Sequence, residues 1–103
     1  MDKVEGLKKI LVQDPGNDFA RYGLAMELIR LGQTEAGLLE FSNLLERDPN
    51  YTAAYQMSAQ TLATLGRPEE AIKRLKAGIA SAERKGNRHA VSEMQGLLDE
   101  LDR

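Results

Sequence analysis

Cysteine and tryptophan are absent from this 103-residue sequence, which carries one histidine, two phenylalanines and three tyrosines. Without thiols there can be no disulfide, no iron–sulfur cluster and no thiolate zinc site. With so few aromatic rings, aliphatic residues and alanine must fill the core. No apolar run approaches the ~18 residues of a membrane span, and the opening Met1-Asp2-Lys3-Val4-Glu5 is too charged for a secretory leader. Neither sign of charge dominates. Fourteen basic against sixteen acidic residues leave a net charge of −2, which draws the chain to neither nucleic acid nor an anionic membrane. The nine glycines are scattered and form no phosphate-cradling loop. The chain reads as one soluble, folded domain, expected in the cytoplasm.

Apolar residues recur at helical spacing in nearly every window, and none alternates with period two for long, so an all-α fold follows. The punctuation repeats as well. Asp14-Pro15 recurs 34 residues on as Asp48-Pro49, and Leu31-Gly32 recurs at the same interval as Leu65-Gly66. Laying residues 18–51 on 52–85 aligns Ala20 with Ala54, Ala25 with Ala59, Leu28 with Leu62 and Glu35 with Glu69. A fixed period of this size marks a repeat architecture. Gly32 and Gly66 suit the left-handed residue that ends a helix, Thr34 fits as an N-cap ahead of Glu35, and Pro68 fits the first helical position. Helices are predicted at 3–13, 18–31, 35–47, 52–65, 68–85 and 88–101. Residues 1–17 then form an opening helix, 18–51 and 52–85 two helical hairpins, and 86–103 a closing helix that caps the stack.

The two central segments resemble the tetratricopeptide repeat, whose 34-residue unit is a pair of antiparallel helices. The first reads Arg21-x2-Leu24-Ala25-x2-Leu28, then Gly37-x3-Phe41 and Pro49; the second reads Tyr55-x2-Ser58-Ala59-x2-Leu62, then Ala71-x3-Leu75. Arg21 stands where an aromatic is usual, and Glu83 where the proline between repeats is usual. The first helix fits the second-helix pattern, with Leu7, Ile10 and Leu11 matching Phe41, Leu44 and Leu45. The closing helix fits the first-helix pattern as Val91-x2-Met94 and Leu98, once two residues are inserted. The resemblance implies an α-α superhelix of about six helices, and a non-catalytic adaptor that holds a peptide or protein segment in a concave groove.

That groove, carried over from the family, falls on Phe19, Tyr22, Met26 and Ile29 with Arg30 beside them, then on Ala53, Gln56, Gln60 and Ala63. The core face of residues 18–31 is already supplied by Ala20, Leu24, Ala25, Leu28 and Leu31. The four apolar residues of the first set are therefore surplus, a mark of an interaction surface. The opening or closing helix folding over this set is the competing expectation. Tyr22 and Met26 occupy the places where a carboxylate clamp would need polar side chains, so a partly hydrophobic segment is the expected ligand.

Catalysis finds little support. His89 has no second histidine or cysteine to work with, and Glu69-Glu70 and Asp99-Glu100 sit in helix turns. No cofactor and no metal are expected. Residues 18–51 carry three basic and six acidic groups, whereas 52–85 carry six and three. The stretch Lys73, Arg74, Lys76, Arg84, Lys85 and Arg88 is expected to be a solvated outer face. The rival reading is a homo-oligomeric assembly element, with unlike repeats or the closing helix in self-association. An RNA reader is a third, disfavoured by the net charge and by the lack of aromatics to stack bases.

Overall fold

The computed structural model describes residues 2–103, and among these it contains six α-helices and no strand. They are α1 (Lys3–Gln13), α2 (Asp18–Arg30), α3 (Thr34–Arg47), α4 (Thr52–Thr64), α5 (Pro68–Arg84) and α6 (Arg88–Leu101). The chain divides into two compact units, one ending at Asp48 and holding α1 to α3, the other starting at Pro49 and holding α4 to α6.

Helix ends follow local chemistry. Gly32, Gly66 and Gly86 take φ of 83°, 73° and 69°, where any side chain would be strained. Each lets the following amide reach back to the last turn: Gln33 to the Leu28 carbonyl at 2.8 Å, Arg67 to Leu62 at 2.9 Å, and Asn87 to Ala82 at 2.9 Å. These are Schellman closures. Asp2, Asn17 and Asn87 cap α1, α2 and α6 by accepting from Glu5, Ala20 and Ala90 N–H. Pro68 opens α5 as expected. Thr34 does not cap α3; it is already helical, the capping place falls to Gln33, and no side-chain cap bond forms. Leu31 is another correction. It lies past the last turn of α2, at the C-cap, and is 50% exposed rather than core.

In the first unit, α2 buries Ala20, Leu24, Ala25 and Leu28, and α3 buries Phe41, Leu44 and Leu45. The two helices approach so closely that a Cβ on Gly37 would lie 2.5 Å from Ile29 Cγ1 and 2.8 Å from the Ala25 carbonyl oxygen. Helix α1 packs on the other side of α2, with Leu7 against Gly23. It buries no residue fully, and Ile10 is 44% exposed, unlike its counterpart Leu44. Among the described helices α1 packs chiefly on α2, and the far half of its apolar face is exposed. In the second unit, Gly78 of α5 gives the close approach: a Cβ there would lie 2.6 Å from Tyr55 Cβ and 2.7 Å from Met94 Sδ. Ala59 and Ala71 are fully buried, and α6 seats Ala90, Met94 and Leu98.

The pair Gly37→Ala and Gly6→Ala tests this packing. Both replace glycine within a helix, which alone favours folding by about 1 kcal/mol. At Gly6 nothing lies within 4 Å of the added carbon, so the melting temperature should rise. At Gly37 the carbon meets backbone, and overpacking of ~1–3 kcal/mol should reverse the sign and lower the melting temperature by several degrees.

Candidate functional site

The two hairpins close through matching repeat positions, filled with different chemistry. Arg21 of α2 donates to Glu40 Oε1 of α3 at 2.8 Å and to the Pro15 carbonyl at 3.2 Å. In the second unit Tyr55, 34 residues on, donates its hydroxyl to the Pro49 carbonyl at 2.9 Å. The arginine that breaks the aromatic pattern thus makes the same bond to the turn. Position 40 becomes Arg74, whose guanidinium is pushed down by burial and drawn back toward its usual range by Tyr55 and Glu70. The Asp18–Arg47 ion pair, 3.7 Å, is replaced by the buried Thr52–Ser81 hydroxyl pair at 2.9 Å.

Those ties settle which side chains face outward. On α2, Phe19 is 80% exposed, Met26 is half-buried and Arg30 exposed, and the three follow one another along one side of the helix. Tyr22 and Ile29 lean toward α3: the Tyr22 ring meets Phe41 edge-on, centroids 5.8 Å apart at 63°, and Ile29 covers Gly37. Helix α1 does not close over the row, because Leu7 sits at Gly23 and leaves Phe19 bare. On α4, in the other unit, Ala53 and Gln60 are exposed and Gln56 and Ala63 half-buried. Gln56 donates to Glu93 Oε1 of α6 at 3.2 Å, and His89 Nε2 approaches the same oxygen at 3.3 Å. Thus α2 offers an apolar row ending in a cation, and α4 a small, polar one.

Glu27 is the feature the sequence reading passed over. It lies on the buried side of α2, 5% exposed, and is held by Arg30 (Nε to Oε1 2.8 Å) and by Lys3 of α1 at 3.6 Å. The Arg30 hydrogen bonds hold its carboxyl below the usual carboxylate range. A charged residue one step before Leu28, between core positions, was the available signal. It anchors α1 and fixes Arg30 at the end of the exposed row.

The basic stretch is only partly a solvated face. Lys73 and Lys76 are exposed, but Arg84 donates to Asn50 Oδ1 at 3.0 Å and Lys85 to the Asn50 carbonyl at 3.1 Å, fastening the turn before α4. Among the described residues, no group of acidic residues and histidine is arranged to hold a metal ion, and no helix is long and apolar enough to cross a membrane.

Paired helices in a 34-residue register, tied at matching positions, define a helical repeat protein. The tetratricopeptide repeat model matches residues 28–91, more than half of the chain, and the chain belongs to that family. The TPR repeat-containing protein PA0015 of Pseudomonas aeruginosa is 29% identical over 100 residues, 97% of this chain and 95% of that protein. The solution structure of a tetratricopeptide repeat domain protein from Salinibacter ruber has a TM-score of 0.80 at 31% identity, covering 85% of this chain and 89% of that one. The TPR2B domain of yeast Sti1, in a complex with pHsp70, shares the fold with a TM-score of 0.87 at 18% identity, over 96% of this chain and 79% of that one. Tetratricopeptide repeats are in general protein–protein interaction modules.

The Glu27 cluster makes a pH prediction. A carboxyl whose folded pKa is depressed contributes stability above its unfolded pKa and loses it as pH falls through the folded value. Glu27→Gln should therefore lower the neutral-pH melting temperature and flatten its decline below about pH 4.5, where unpaired carboxyls begin to protonate. Melting curves of both proteins across that range check it.

Proposed function

We propose that this chain is a non-catalytic adaptor that binds a partly hydrophobic peptide or protein segment on the first helices of its hairpins, working as one domain with repeats at 18–51 and 52–85. The observation that carries this reading is Phe19, bare on α2 in line with Met26 and Arg30. A large ring held in water without a partner contributes nothing to the hairpin, but becomes an anchor once a ligand covers it. Tyr22 and Ile29 form the flank of that surface and the seam of the hairpin at once, so the free contacts are Phe19, Met26 and Arg30. Arg30 would meet an acidic group on the ligand while remaining fixed by Glu27. On α4, Ala53, Gln60 and Ala63 give a shallow polar strip suited to a peptide backbone, with Gln56 already engaged by Glu93. The Sti1 domain that shares this fold is found with pHsp70, which fits a segment-binding role. A cytoplasmic setting is part of the same proposal.

Selection from a random peptide library on the immobilised protein, followed by calorimetry, tests this reading. Phe19→Ser with Met26→Ser should leave the helical spectrum unchanged and weaken the selected peptides by about 30-fold, the loss of one ~2 kcal/mol anchor. Equal binding by the variant, or no peptide enriched, would reject it.

A further inference from the structure

Helix α6 ends the second unit with one side uncovered. Arg88, Val91, Ser92, Gln95, Gly96 and Asp99 line a cleft of about 640 Å³ where α6 meets the end of α5, and nothing lies within 4 Å of a Cβ placed on Gly96. In the register that sets Val91 on Tyr55 and Arg21, all of these but Gly96, which matches Met26, are positions that receive a second helix. Ser92 matches Tyr22, which packs on Phe41; Gln95 and Asp99 match Ala25 and Ile29, which meet Gly37; Arg88 matches Asp18, which pairs with Arg47. The cleft is thus shaped to seat a further helix.

The end charges of α6 are inverted. Helices α2, α3 and α5 each carry an acidic residue in the first turn and an arginine in the last, as the helix dipole favours. In α6 the first turn holds Arg88 and no acidic residue, and the end holds Asp99 and Glu100 and no basic residue. Within one chain that arrangement is unfavourable at both ends.

We propose that the occupant of this seat is α6 of a second copy, running antiparallel about a two-fold axis. That operation sets Arg88 opposite Asp99, Val91 opposite Gly96 and Ser92 opposite Gln95, each pair twice. The charges that oppose their own helix dipole then meet opposite charges, a valine enters the notch above a glycine, and the two dipoles run head to tail. Gln95 already donates to Asp99 Oδ1 at 2.9 Å, which holds the carboxylate over the cleft and leaves the amide oxygen to accept from the Ser92 hydroxyl of the second copy. Small residues at 92 and 96 allow the axes to approach within the 8–10 Å of packed helices. A contact of one 14-residue helix per copy lies at the small end of specific interfaces, under about 1,200 Å², so the dimer is weak and concentration-dependent.

Sedimentation equilibrium over a concentration series tests the proposal on the whole chain. Wild type should pass from monomer to dimer. Arg88→Glu and Asp99→Arg should each weaken the dimer about tenfold or more, and the double exchange Arg88→Glu with Asp99→Arg should restore it. Both single changes bring charges into accord with the dipole, so the melting temperature of the monomer should hold or rise, which separates lost association from lost folding. Gly96→Leu should also abolish the dimer by filling the notch. A wild type that stays monomeric at its highest soluble concentration overturns the proposal. So does a dimer indifferent to both reversals, or one that the double exchange fails to recover.

Discussion

How near two helices of a hairpin can approach is the constraint on which the rest of this structure depends. The Ala25 carbonyl and the Ile29 side chain lie where a Cβ on Gly37 would have to go, so α2 and α3 touch through backbone. In the second unit Ala71 fills the place of Gly37, and the close approach falls at Gly78, beneath the Tyr55 and Met94 side chains. Close approach strengthens dispersion contacts, but at these points it removes the freedom to substitute. Everything variable has to go elsewhere on the helices.

Cross-ties between the helices show how that freedom is used. Arg21 bonds Glu40, whereas the same two repeat positions hold Tyr55 and Arg74, so the cation has changed sides. Asp18 with Arg47 becomes Thr52 with Ser81, an ion pair exchanged for a buried hydroxyl pair. What persists is the joining of second helix to first and the bond to the turn carbonyl at Pro15 or Pro49. The residues on the free side of α2 and α4 obey no such pairing, and there the repeats diverge from Phe19 and Met26 to Ala53 and Gln60.

Most of the helix pattern was legible because it rests on local chemistry. The 34-residue recurrence of Asp-Pro and Leu-Gly reports turns whose amide bonds the structure shows at Asp14, Asp48, Gln33 and Arg67. Spacing also located α1 to α6 within about a residue of their ends. What spacing could not separate was outward from sideways. Phe19, Tyr22, Met26 and Ile29 lie along one broad face, but α3 takes Tyr22 and Ile29 for packing and leaves Phe19 uncovered. Glu27 escaped notice because apolar periodicity counts a carboxylate as surface, whereas two cations let it sit within the α1–α2 seam. Leu31 looked like core because periodicity does not register that a helix has already ended.

The central claim is that one set of repeat positions closes each hairpin and a second set is left free for recognition. A serine scan of the whole chain, with stability read from resistance to proteolysis, measures both sets at once. The account predicts losses that recur at a spacing of 34, large at positions 25 and 59, 28 and 62, and 41 and 75, and small at 19 and 53, and 26 and 60. A profile without that period, or one in which serine at Phe19 costs as much stability as serine at Phe41, would contradict it.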